Sequence, residues 1–206
     1  YIDITGFNDA FSLTTKRNGL VGAIEIKGQY QMMEADRFVE MVDHLERRWE
    51  AMLKVEGIML DVVFMGGDKR LIRKQLMDSI SPNLATSKRF GLNLERVLES
   101  KVDKLMEYCA YEKAFLCVWV DQSVLSGQER KRAAEEISQK REKLQLAGNQ
   151  SADVAGVSKT IQAAHQSAIM QITKDLSSIG IINTVVTAAE VLTDIRLMTE
   201  PKTTAF

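Results

Sequence analysis

The chain has 206 residues, with 27 Lys and Arg against 28 Asp and Glu, a net charge of −1, and 45 % hydrophobic residues. That is the composition of a soluble globular protein long enough to bury a core without disulfides or metal. It excludes a general electrostatic attraction to nucleic acid or anionic lipid, which would have to act through a local patch. The longest apolar run, Ala114 to Val120, is far short of the roughly 20 residues of a membrane-spanning helix.

Residues 20 to 27 alternate, Leu20, Gly22, Ile24 and Ile26 against Val21, Ala23, Glu25 and Lys27, which predicts a half-buried strand ended by Gly28. A shorter strand from Ala10 to Thr15 is expected to pair with it through the turn Lys16-Arg17-Asn18-Gly19, because Asn-Gly favours positive φ. Residues 1 to 4 add an edge. From Glu34 to Lys54 the apolar residues Phe38, Met41, Val42, Leu45, Trp49, Met52 and Leu53 recur at three and four, one continuous helical stripe stopped by Gly57. Ile58 to Met65 reads as the next strand, and Gly66-Gly67-Asp68 as a turn into a short helix carrying Leu71, Ile72, Leu76 and Met77.

Ser81-Pro82 has the form of an N-cap followed by proline at the first helical position, so a separate helix is expected from Pro82 to about Phe90, closed by Gly91. Asn93 can cap another, with a stripe of Leu94, Val97, Leu98, Val102, Leu105 and Cys109. Ala114 to Val120 is apolar on both faces and reads as a central strand. Ser126-x-x-Glu129 is a capping box for a charged helix to about Leu146. Asn149 to Val157 is polar, small and aperiodic, hence a loop, and Ser158 caps a long helix with Ile161, Ala164, Ala168, Ile172, Leu176 and Ile179 on one face, ended by Gly180. A last strand, Ile181 to Val186, and a last helix, Ala188 to Met198 before Pro201, complete the order. Paired strands at the start and stacked helices in the middle break strict strand-helix alternation, so the expected class is α+β. It is a single domain, a mixed and mainly antiparallel sheet packed by amphipathic helices.

Signatures of chemistry are sparse. The nearest approach to G-x-x-x-x-G-K-[ST] is Asp153 to Thr160, where Asp153 and Ser158 replace both glycines that would wrap a phosphate. Zinc would need partners beyond His44 and His165, and Cys109 and Cys117 lack C-x-x-C spacing. Both histidines read as helix-flank or core-edge residues. The cysteines read as reduced thiols, with a disulfide left open, and Cys117 on a buried strand is expected to have a raised pKa. No catalytic, cofactor-binding or metal residue is assigned. The charged helix carries Arg130, Lys131, Arg132, Lys140, Arg141 and Lys143, partly compensated by glutamates at i,i+4, over a thin stripe of Ala133, Ile137 and Leu144. These six cations, with the loop Asn149 to Val157, are the candidate partner-docking region. Lys69, Arg70, Arg73 and Lys74 form a second basic cluster without aromatics, read as surface; direct nucleic-acid binding is not expected.

In order, Ile24-Glu25-Ile26-Lys27-Gly28, Leu60-Asp61-Val62-Val63-Phe64, Leu92-Asn93-Leu94 through Tyr108-Cys109-Ala110, Phe115-Leu116-Cys117-Val118-Trp119, Gly180-Ile181-Ile182 and Glu190-Val191-Leu192 followed by Ile195-Arg196 carry a resemblance. Together they are similar to the N-terminal region of the large cytoplasmic ATPase of type IVB secretion and conjugation systems, the DotO/IcmB and TraU family. The resemblance implies a hexameric motor at the cytoplasmic face of the inner membrane, energising substrate transfer, with its Walker motifs, ATP and Mg²⁺ in a domain C-terminal to this one. None of that family's nucleotide-binding residues has a matching position here. The implied role of residues 1–206 is therefore a non-catalytic N-terminal domain for self-association into the hexamer. It would also dock to inner-membrane secretion-complex proteins and a second cytoplasmic ATPase. The start at Tyr1 and the end at Phe206 fit an excised piece of such a protein. The rival expectation is a stand-alone α/β small-ligand-binding domain or enzyme.

Overall fold

A computed structural model describes residues 3–29, 34–67, 69–146 and 157–199. Their order is β1 (Ile4–Phe7), β2 (Leu13–Thr15), β3 (Leu20–Gln29), α1 (Ala35–Leu53), β4 (Ile58–Gly67), α2 (Lys69–Arg89), α3 (Glu95–Tyr108), β5 (Tyr111–Val120), α4 (Gly127–Leu146), α5 (Lys159–Ser178), β6 (Ile181–Val186) and α6 (Ala188–Thr199). A six-stranded, mainly antiparallel sheet with six helices makes the chain α+β, the class expected from its pattern. Its contacts gather into two units, one of residues 1–63 and 114–206, the other of residues 64–113.

In the larger unit the ten-residue β3 organises the sheet. One edge pairs antiparallel with β5, from Leu20 opposite Val120 to Ile26 opposite Ala114. The other edge is shared: β2 takes Leu20 and Val21, and β6 runs from Ala23 opposite Val186 to Gln29 opposite Ile181. β1 extends β2, and β4 lies beyond β5 at the end of the sheet. The β2–β3 turn forms as its Asn-Gly predicts, with Asn18 at φ 54° and the Thr15 N–H donating to Gly19 O at 3.0 Å.

The half-buried reading of β3 is overturned at its start, since Leu20 to Ile24 are all buried. Leu20 and Ile24 face α5, packing with Ile161 and with Ile172 and Leu176 respectively, while Val21 faces Leu13 and Ala188 at the start of α6. Helices on both faces remove the solvent that alternation assumes. Gly28 does not end the strand. At φ 122° it makes a bulge, shifting the register to β6 between Ile26 and Gly28, and the strand continues to Gln29.

α5 is the central helix of the unit. Ser158 caps it by accepting from the Ile161 N–H, and Gly180 at φ 82° lets the chain leave it for β6. Ile161 and Ile172 are fully buried, each contributing about 1.5–3 kcal/mol. Val157 precedes α5 outside any helix or strand, as the loop reading expects, but it is buried with Leu20, Val120 and Ile161 and so is not part of a docking surface; residues 149–156 lie outside the described residues.

The smaller unit is built on α2 and α3. The predicted break at Ser81-Pro82 is absent, and α2 runs unbroken through Pro82. Proline removes the N–H that would reach the Asp78 carbonyl, but the Ser81 hydroxyl donates to that same oxygen at 2.8 Å, so Ser81 repairs the helix rather than starting one. Asn93 is likewise not the cap of α3, whose N-cap position is Leu94. The buried Ser87 hydroxyl holds the connection by donating to Leu92 O and accepting from the Leu94 N–H, with Gly91 at φ 65° making the turn. Arg73 pairs with Asp103 across the two helices at 2.6 Å. The Gly66-Gly67 turn is also corrected, because both glycines belong to β4.

Candidate docking surface

α4 begins as its capping box requires. Glu129 accepts from both the Ser126 N–H and the Ser126 hydroxyl, at 2.9 and 2.6 Å. The hydroxyl, then the N–H, and to a lesser extent the Arg132 charge hold the Glu129 carboxyl below its ordinary range. Of the predicted docking cations, Arg130 turns back on its own turn: Nε donates to Leu125 O at 3.0 Å and a terminal nitrogen donates to Ser123 O at 3.3 Å. Lys131 and Arg132 are exposed, and Lys140, Arg141 and Lys143 lie farther along the same helix. Among its described residues Ala133 and Ile137 are buried, Ala133 packing beside Leu125 and Ile161. The structure thus sets Arg130 apart, as the anchor of a turn, from Lys131 and Arg132, which are exposed on a helix seated by a thin stripe.

Sequence reasoning missed a larger apolar surface on α1. Most of the C-terminal half of its stripe is used, Met52 being buried and Leu45 and Trp49 packing on the α5 side of the sheet, while Leu53 at its end is 42 % exposed. Two polar bonds fix that half to α5. Arg48 pairs with Asp175 at 2.7 Å, and Trp49 Nε1 donates to the other oxygen of the same carboxylate at 3.2 Å. The N-terminal half carries the same stripe into solvent. Phe38 is 54 % exposed, Val42 43 %, and the neighbouring Val39 is exposed as well. At about 1.5 Å per residue the open half extends roughly 12 Å beyond the packed one. In β4, Met59 and Val62 are exposed, on an edge strand whose first six residues carry one charge, Asp61. The stripe was legible in the sequence, but which half of it α5 covers was not.

A second feature lies on the opposite face of the sheet. Between β2, β3, β5 and α6 there is a cavity of about 490 Å³ lined by Leu13, Val21, Phe115, Trp119, Ala188 and Val191, among others. Cys117 also lines it; burial, and then the Asp61 charge, push its thiol up to about 11, as a buried strand cysteine should behave. Cys109 is exposed, and both thiols are free. Of the two histidines, His44 is exposed on α1, whereas His165 is a core residue rather than an edge one, its Nε2 3.3 Å from Val118 O.

Among the described residues no group of three or more His, Cys, Asp and Glu could hold a metal ion, and no helix is long and apolar enough to cross a membrane. No protein-family model matches this chain, and no curated protein matches it.

Proposed function

We propose that the chain is a docking and assembly domain of a hexameric type IV secretion or conjugation ATPase, working at the cytoplasmic face of the inner membrane while nucleotide chemistry resides in another part of the protein. The observation that carries this reading is the open half of α1, where Phe38, Val39 and Val42 extend a packed helical stripe into solvent. An amphipathic helix that continues past its own core offers i, i+4 anchors to a partner. Clustered large apolar residues of this kind mark interaction surfaces more often than scattered ones. The occupant proposed for α1 is a neighbouring copy in the hexamer. The exposed cations of α4 face the inner-membrane complex and the second ATPase.

The test replaces Phe38 and Val42 by serine together in the complete ATPase. Both side chains are exposed, so unfolding stability should change by no more than about 0.5 kcal/mol. Assembly should fall at least tenfold in sedimentation experiments, and deletion of residues 1–206 should abolish membrane recruitment. Unchanged assembly of the double variant would remove α1 as the contact, and normal recruitment of the deleted protein would overturn the docking role. The alternative, a small-ligand-binding domain, draws on a separate observation, the cavity under α6.

A further inference from the structure

Two helices leave an apolar face in solvent, and the charges around those faces are opposite. On α1 the open stripe of Phe38 and Val42 is bordered by Asp36, Val39, Asp43 and Glu46, which recur at three and four and so form one row along the helix. All of these side chains are exposed. From Asp36 to Arg47 four carboxylates stand against two arginines. Arg37 falls on the other side of the stripe, and Arg47 donates its Nε–H to the Asp43 carbonyl at 3.2 Å rather than to a carboxylate. Among the described residues the ion pairs of α1 are those of Arg48 with Asp175 and Lys54 with Glu50, both beyond Glu46.

On α3 the open face is apolar and basic. Val97, Lys101, Lys104 and Tyr108 recur at four, three and four, and with Ser100 and Leu105 they line a groove of about 350 Å³ on this helix alone. Val97 and Tyr108, at its two ends, are exposed, and so are the two lysines between them. The carboxylates of Glu95 and Asp103 are drawn toward α2, by Lys88 at 3.2 Å and Arg73 at 2.6 Å, while Glu99 and Glu107 lie outside the groove. α4 offers no such face, since its cations alternate with glutamates and none of its described residues is a large exposed hydrophobic one.

Opposite charges around apolar anchors select a partner and fix its register. An α1–α1 contact would set carboxylates against carboxylates, and an α3–α3 contact lysines against lysines. Each face is unsuited to itself and suited to the other. We propose that the open half of α1 in one copy of this chain docks on the α3 face of a second copy, with Phe38 and Val42 packing between Val97 and Tyr108 and with Asp43 and Glu46 meeting Lys101 and Lys104. Such a contact uses a different face on each copy, so it repeats from copy to copy until a ring closes, whereas a twofold contact stops at two. This inference rests on the reading of α1 as the contact between copies and names the surface that α1 meets.

The test reverses the charge of each face in the complete ATPase and follows assembly by sedimentation velocity. Lys101→Glu with Lys104→Glu should raise the concentration at half-assembly by about tenfold or more, and Asp43→Lys with Glu46→Lys should do the same. Asp36 is left in place because a carboxylate in the first turn favours the helix itself. Mixed in equal amounts, the two variants should assemble again to within about threefold of the native protein, because every contact in an alternating ring regains opposite charges. Circular dichroism checks folding; if a reversed variant does not fold, Val97→Ser with Tyr108→Ser decides, with a weakening of about fivefold or more expected. Unchanged assembly of either α3 variant, or two folded reversal variants that do not recover on mixing, would overturn the pairing with α3. Reversal at Asp43 and Glu46 that spares self-association and abolishes membrane recruitment would also overturn it, in favour of an inner-membrane partner. The underlying reading fails on a different result, normal assembly of Phe38→Ser with Val42→Ser.

Discussion

Gly22 and His165 meet at a point in the core where a single atom matters. A Cβ on Gly22 would lie 2.7 Å from Ile169 Cδ1 and 2.9 Å from His165 Cε1, so the glycine is what lets α5 seat this close to β3. In that space the imidazole is almost fully buried, and burial lowers its pKa below the ordinary 6.5, opposed by the Val118 carbonyl and the charge of Asp9. Asp9 can supply that charge because burial, which would raise its pKa, is outweighed by hydrogen bonds from the Phe11 and Ser12 N–H groups and the Ser12 and Asn8 side chains. The unfolded imidazole takes up a proton near its ordinary value and the folded one only at lower pH. Between those two values the native state binds fewer protons. Stability present above about pH 6.5 is therefore lost as pH falls toward the folded value. Urea unfolding at pH 7.5, 6.5 and 5.5 should show this loss in the native chain. His165→Gln should start lower at pH 7.5 and lose less over the same range. Parallel profiles would show that another group drives the acid sensitivity.

At the scale of elements, several of the residues that begin and end helices were legible because they act locally. The Ser126–Glu129 box, the Ser158 cap and the glycines at 57, 91 and 180, all at positive φ, depend on neighbours within a few positions and could be read as spacing. Ser81-Pro82 defeated the same logic, because a hydroxyl that can cap a new helix can equally donate backwards to Asp78 O and carry an existing helix across the proline. Sequence spacing does not choose between these bonds. The packed fold, which buries Ile72 and Ile80 before that point of α2 and Ser87 after it, does. The charged helix shows the same limit. Six cations along α4 look equivalent in sequence, yet Arg130 holds the carbonyls of Ser123 and Leu125 and so ties the helix start to the preceding turn. Arg130→Glu should destabilise the chain by about 1–2 kcal/mol, since both carbonyl bonds are lost and a negative charge replaces them. Lys131→Glu with Arg132→Glu should stay within about 0.5 kcal/mol, both being exposed. Thermal and urea unfolding of the two variants checks the difference. Equal losses would mean that the Arg130 bonds contribute nothing to stability.

For the whole molecule, what could be read from the sequence was the class and the chain order of strands and helices; what could not be read was where surface and cavity fall. The cavity under α6 joins Leu13, Val21, Phe115 and Val191, residues far apart in sequence, none of which departs from ordinary core patterning. The open half of α1 became visible only once α5 was seen to cover the other half. The gathering of contacts into two units has no mark in composition, because residues 64–113 contain no Pro-rich or Gly-rich linker. Their burial is nonetheless different in kind. Among the described residues of 64–113 the buried side chains are few, Met65, Ile72, Ile80, Ser87 and Val102, while Phe90, Leu92, Leu94, Val97 and Tyr108 are exposed, Tyr108 by 85 %. In the other unit, β3, β5 and α5 share extended apolar clusters and a sheet ladder. Local opening free energy follows buried apolar contact. Native-state hydrogen exchange should therefore separate the two. Amides of β3, β5 and α5 should exchange only through global unfolding, and those of α2 and α3 should open at a free energy lower by about 2 kcal/mol or more. Added urea should leave the α2–α3 openings nearly unchanged at low concentration while lowering the global one, since a small opening exposes little surface. A single opening free energy for all five elements would instead mean that residues 64–113 unfold only with the sheet, and that the exposed apolar residues of α3 cost the native state nothing in cooperativity.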